Sequence, residues 1–367
     1  MSTTTEATPR GAPPARPARS SHWRERLEEA LLPPLVAMLA AMVVGDVLIL
    51  CMGQSPAAVY GMLLEGTWGN AYGFGQVLFK TTSLAFTGLA VAFALRAGMF
   101  NIGAEGQLAA GGFLAAIMGW ALPGGTPALI AVPLCVIAAG IGGGAVGAVP
   151  GALKARFGTH EVIVSIMLNF IVLAILNYIV AAHLHVPETL HTPELAAGTI
   201  PRFGGPFRGS AANVSIFLAL AAAGVVWWYL FRTRRGYELR AVGLQPDAAE
   251  YAGVKVGGVY MRAMTMAGVL AGLGGINYVL GYKHYYEDGF AGGAGFLGIA
   301  VALVGRNDPL GVELAALFFA TLSQGGLAIN AVVPKQMVEV MQAVVILAVA
   351  ISVPEVRRIL RQQRRVG

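Results

Sequence analysis

Apolar residues gather into long stretches along this chain, and the polar residues fall between them. A helix that crosses a bilayer needs about 20 mostly apolar residues. The stretches 32–52, 76–96, 104–122, 127–152, 161–183, 214–232, 259–281, 291–306, 309–328 and 336–354 meet or approach that length. The pattern predicts an all-α integral membrane protein with about ten transmembrane helices. The stretch 291–306 is short and Gly-rich, which predicts a tilted, broken or re-entrant element. Residues 1–22, rich in Pro, Ala, Arg, Ser and Thr, read as a disordered tail, and 23–31 as a short interfacial helix anchored by Trp23. Residues 32–354 form the membrane domain and 355–367 a basic tail.

Lys and Arg orient the spans, because cytoplasmic loops collect them. Arg10, Arg16, Arg19, Arg24 and Arg26 precede the first stretch, and Arg357, Arg358, Arg361, Arg364 and Arg365 follow the last. Both termini therefore read as cytoplasmic. Lys154, Arg156, Arg232, Arg234, Arg235 and Arg240 fall on the same side, while the loops 53–73 and 122–126 carry no Lys or Arg and fall outside. The long outer loop 184–213 holds Arg202 and Arg208, which could dock a soluble partner by pairing with its carboxylates.

Composition agrees. Of 367 residues, 56% are hydrophobic and 12% charged, against about 25% charged in a soluble domain. A mean hydropathy of +0.67 means that lipid must cover much of the surface. The net charge of +6 does not point to nucleic acid, since the basic residues lie in short runs between apolar stretches. Cys51 and Cys135 sit in apolar stretches and read as small buried hydrophobes, with no disulfide and no metal site expected. Gly140/Gly144, Gly143/Gly147, Gly147/Gly151 and Gly268/Gly272 recur at four-residue spacing, a signature of close helix packing in membranes.

Four runs carry candidate chemistry. Residues 96–107 pack Arg96, Asn101, Glu105 and Gln107 among glycines between two apolar stretches. Such groups face either a water-filled path through the bundle or an ordinary cytoplasmic turn, and the residues alone leave both readings open. In 161–170, Glu161 suits a helix start, and Asn169 suits either a lumen or an interhelical hydrogen bond. In 232–257, Pro246 fits the first position of a short helix and Gly253 the position after its end. That element is either a docking knob or a loop that only sets topology. In 292–312 a Gly-rich apolar run ends at Arg306-Asn307-Asp308 before Pro309. Two look-alikes of nucleotide-binding motifs are set aside. Lys80-Thr81-Thr82 lacks the preceding glycine, and Leu322-Ser323-Gln324-Gly325-Gly326 has the wrong order.

Taken together, the runs GMFNIGAEGQ (98–107), EVIVSIMLN (161–169), GYELRAVGLQPDAAEYAG (236–253) and GFLGIAVALVGRNDPLG (295–311) resemble permease subunits of bacterial ABC importers. The nucleoside permeases, relatives of the simple-sugar (ribose-type) permeases, are the nearest subgroup. The resemblance covers roughly residues 32–354. It implies a fold similar to the vitamin B12 importer permease, in the bacterial cytoplasmic (inner) membrane. It also implies pairing with a second permease subunit, a different chain in nucleoside systems. A cytoplasmic ABC ATPase would bind ATP and Mg, so this chain needs no cofactor and is no enzyme itself. A periplasmic or lipid-anchored binding protein would deliver the solute. The loop 233–257 matches the family's coupling loop, with Gly236, Arg240, Gly243, Pro246, Ala249, Ala252 and Gly253 as the coupling residues. His160 stands where the family carries an asparagine.

A nucleoside is flat and polar-edged, so its path should offer aromatic faces and hydrogen-bond groups. Phe93, Phe100, Asn101, Glu105, Gln107, Asn169 and Asn277 are the candidates. A simple sugar would use the same groups. An ion-coupled secondary transporter, with Asp46 and Glu105 as proton carriers, is the alternative of another class, but it leaves the loop 232–257 without a task. A membrane enzyme lacks any catalytic constellation within the spans.

Overall fold

The structure is a computed structural model that describes residues 39, 42–334 and 336–348. The expected tail 1–22, the interfacial helix 23–31, the basic tail 355–367 and the outer parts of the first and last expected spans lie outside the described residues. The described chain is helical, with two isolated bridges, His191 to Glu287 and Arg202 to Asn213. In order the helices are α1 (Met42–Cys51), α2 (Pro56–Thr67), α3 (Ala71–Arg96), α4 (Ala104–Ala121), α5 (Ala128–Phe157), α6 (Glu161–Ile179) and α7 (Ser215–Arg232). There follow α8 (Arg234–Leu244), α9 (Pro246–Tyr251), α10 (Val256–Tyr278), α11 (Ala294–Val304), α12 (Pro309–Ala328) and α13 (Gln336–Ala348). Single π turns extend α6 to Leu184 and α10 to Lys283.

Six described helices are long and apolar enough to cross a membrane, or seven if α1 and α2, bent by 111°, count as one broken span. The protein is a multi-pass membrane protein. The count of ten is not reached among the described residues. The polar start of α4 lowers its hydropathy, and α11 and α13 are short. One correction concerns 53–73. It is no loop but contains α2, opened by Ser55 and by Pro56 at its first turn. At 12 residues α2 is too short for a span, so run length alone passes over it.

α3 is the axis of the fold. Of its most apolar window, 89% is buried, against 17% for α6. It packs against α10, α11 and α12. α6 instead shows Ile163, Met167, Phe170, Ile171 and Ile175 on the outside, as a lipid-facing helix does. α5 and α10 cross backbone to backbone. A β-carbon at Gly143 would collide with the Gly268 carbonyl, and one at Gly147 with that of Met264. Small residues let these helices touch where lipid supplies no hydrophobic drive between them.

The basic loops gather at one end. Arg96 Nε donates to Asn307 O at 2.8 Å, Gly98 lies against Gly243, and Lys154 pairs with Glu161 at 3.0 Å. The loop 185–214 closes the opposite end, where the Ala196 and Ala197 amides donate to Gly119 O.

α11 does not start at either end. Thr87, midway along α3, donates to Ala294 O at 3.0 Å. Thr87 lies nine residues before Arg96, so α11 begins about 13 Å inside the basic end at 1.5 Å per residue. The chain thus dips inward over 284–293 before this half-length helix runs back out. The expectation of a broken or re-entrant element at 291–306 matches this geometry. Non-helical backbone at such depth is tolerated only where protein or a cavity surrounds it.

Candidate functional site

α4 also starts inside. After Arg96 the chain turns at Gly98 (φ 74°) and re-enters as irregular backbone. A β-carbon on Gly103 would meet Ser165, one turn into α6, and one on Gly106 would meet Asn169. The N-termini of α4 and α11 therefore face each other within the bundle. A β-carbon at Gly295 would strike the Glu105 backbone.

Two positive helix ends in contact repel, and each leaves backbone N–H groups without intrahelical partners. Glu105 answers both needs. Its Oε1 accepts from Gly293 N at 2.9 Å and its Oε2 from Gly295 N at 2.7 Å. α11 has no side-chain cap of its own, because Gly293 fills that position with φ 83°. The carboxylate is buried at 6% exposure and compensated by two helix ends, which are worth up to about 2 kcal/mol in partly buried settings.

The other candidate residues of this run close on one another. Asn101 Nδ2 donates to Gln107 Oε1 at 2.8 Å, and Gln107 Nε2 donates to Asn101 Oδ1 at 3.0 Å. Asn101 Oδ1 also accepts from Gly103 N at 3.0 Å, which fixes the turn into α4. Asn169 crosses from α6. Its Oδ1 accepts from Gly106 N at 2.9 Å, and its Nδ2 donates to Ile102 O at 2.8 Å. This is the interhelical hydrogen bond weighed for Asn169. Phe93 is buried beside Tyr229, with ring centroids 5.6 Å apart, and Phe100 is half-buried.

Asn277 belongs to a separate network nearer the opposite end. Its Nδ2 donates to Phe79 O and Ser83 Oγ, both at 2.8 Å. Its Oδ1 accepts from Asn213 Nδ2 at 2.9 Å and Ser215 Oγ at 3.0 Å. Asn213 and Ser215 were not singled out from the sequence. An Asn-x-Ser at the head of an apolar stretch is the signal that marks them.

A cavity of about 360 Å³ opens beside the start of α11, between α11, α12 and α13. Gly293, Phe296, Ser323, Glu339 and Gln342 are among its lining residues. Lys80 Nζ donates to Ser323 Oγ at 3.2 Å, so the two set-aside look-alike motifs meet here across α3 and α12. Among the described residues no group of His, Cys, Asp and Glu could hold a metal ion.

Comparison with known proteins decides the class. A family described as the permease component of branched-chain amino acid transport systems matches residues 73–350. The chain belongs to this permease family. The permease is 41% identical to the guanosine ABC transporter permease protein NupP of Bacillus subtilis, over 88% of this chain and 93% of that one. It is 33% identical to the nucleoside ABC transporter permease protein NupB of Lactococcus lactis, over 88% and 91%. It is 36% identical to the glucose ABC transporter permease of Haloferax volcanii, over 86% and 85%. No solved structure matches the permease.

In the permease the loop 233–257 folds as a helical pair, α8 and α9. Pro246 opens α9 as expected, and Gly253 (φ 85°) follows its end. Gly236 lies against Tyr229 O and Gly243 against Arg96 O, too close for a β-carbon. Arg240 stacks over Phe231 at 5.1 Å. Ala249 is buried within the permease itself, while Ala252 is exposed. The large outward side chains are Leu244, 85% exposed, and Tyr251, 96% exposed.

Arg202 is committed within its own chain. It donates to the carbonyls of Gly281 and Tyr282 and lies over the Tyr282 ring at 5.1 Å. Arg208 is exposed. Burial, and then the Arg202 charge, holds the His284 imidazole below its ordinary pKa.

Proposed function

We propose that this permease passes a nucleoside across the bacterial cytoplasmic membrane as one membrane subunit of an ATP-driven importer. The observation that carries the reading is the 41% identity to a guanosine permease over nearly the whole of both chains. In this reading the full chain has about ten spans in a fold similar to the vitamin B12 importer permease. Both termini are cytoplasmic. A partner ABC ATPase binds ATP and Mg and seats against α8 and α9, and the exposed Leu244 and Tyr251 favour that contact. A second, different permease chain completes the pair. In support, this chain is also 29% identical to NupQ, a second Bacillus subtilis guanosine permease, over 66% of its length. A periplasmic or lipid-anchored binding protein delivers the solute at the opposite end.

Uptake of labelled guanosine by vesicles that hold the complete transporter tests the reading. Uptake should require ATP and the ATPase subunit and should survive collapse of the proton gradient. Dependence on the proton gradient alone would make the protein a secondary transporter. The 36% identity to a glucose permease favours a second reading, a simple-sugar importer. Competition decides between them: unlabelled glucose should leave guanosine uptake unchanged.

A further inference from the structure

We infer that the cavity between α11, α12 and α13 is the site where the permease holds a nucleoside in transit, with its base on Phe296 and a polar edge on Gln342. The inference rests on the nucleoside-import reading. Its first support is a polar side chain left open. Gln342 is 8% exposed, lines the cavity, and makes no hydrogen bond with a described residue. A buried amide with no protein partner costs about 1–3 kcal/mol unless water or a ligand satisfies it. At about 360 Å³ the space lies within the range of small-molecule pockets.

The wall chemistry selects the ligand class. A helix N-terminus ordinarily invites an anion. Here Glu105 already occupies the amides of Gly293 and Gly295. Ser323 Oγ accepts from Lys80, which leaves its hydroxyl proton to donate into the cavity. Phe296 is 46% exposed, an uncovered ring beside these donors and acceptors. A flat heteroaromatic base with a polar edge and sugar hydroxyls matches that set: ring on ring, edge on the amide.

The test uses the full chain with its partner subunits in membrane vesicles. Cys51 and Cys135 are first replaced (Cys51→Ser, Cys135→Ala), since they are the chain's two cysteines. Gln342→Cys is then labelled with a small water-soluble thiol reagent. Guanosine should slow the labelling. Separately, Gln342→Leu should raise the half-saturating guanosine concentration about tenfold with little change in maximal rate, the loss of one hydrogen bond. Phe296→Leu should do likewise, and Phe296→Tyr should preserve it. If the wild type imports guanosine while Gln342→Leu and Phe296→Leu keep its half-saturation and guanosine leaves the labelling unchanged, the cavity is not the solute site and the import reading stands. If the wild type imports a hexose and no nucleoside, the base-stacking assignment falls together with that reading.

Discussion

Glu105 Oε2 receives the backbone N–H of Gly295 at 2.7 Å, so a side chain near the start of one buried helix caps the start of another. With no cap of its own, α11 depends on that carboxylate. Glu105→Ala should strip the buried Gly295 amide and the part-buried Gly293 amide of their acceptor, at about 1–3 kcal/mol for the buried one. The purified protein should melt several degrees lower, and solute uptake should fall at least tenfold at unchanged membrane level. Glu105→Gln, which keeps one acceptor oxygen, should fall between the two. A Glu105→Ala protein that melts and transports like the wild type would remove the cap from the account.

Asn101 and Gln107 satisfy each other, and this makes their substitutions non-additive. Asn101→Leu or Gln107→Leu alone leaves a buried amide unpaired, at about 1–3 kcal/mol. The double variant removes both partners and should cost clearly less than the sum. Chemical denaturation of the four proteins of the cycle measures this. Strict additivity would mean that the pair does not act as a unit.

The helical pair α8–α9 separates two kinds of effect. Leu244→Glu or Tyr251→Ala changes a side chain that touches solvent, so folding and insertion should be normal. Co-purification with the ATPase should drop, and solute-stimulated ATP hydrolysis with it. Ala249→Arg instead forces a charge into the permease's own core and should lower the yield of folded protein before any partner is involved. Normal ATPase recovery with both Leu244→Glu and Tyr251→Ala would exclude this face from the contact.

The two arginines of the loop 185–214 should also part company. Arg208→Glu, at an exposed site, should weaken association with the binding protein at low salt and much less at high salt. Arg202→Glu breaks contacts to Gly281 and Tyr282 and should lower thermal stability at any salt. Equal loss of association from both, with stability intact, would contradict this division.

The run lengths of apolar residues were enough to place the long helices α3, α5, α6, α7, α10 and α12, because bilayer thickness is a constraint that one segment meets alone. Local chemistry also marked the ends of α9, since Pro246 and Gly253 act on their own backbone. The four motifs resembling permeases were legible for the same reason, being contiguous. The side-chain partners were not. Glu105 finds Gly293 and Gly295 almost two hundred residues away, Asn277 finds Asn213, and Lys80 meets Ser323. In a water-soluble helix the polar face announces which side points outward. Here lipid-facing and core-facing sides are both apolar, so the sequence carried almost no record of azimuth. Which polar groups meet, which face of α9 turns inward, and where the chain dips to start α4 and α11 were decided by packing alone.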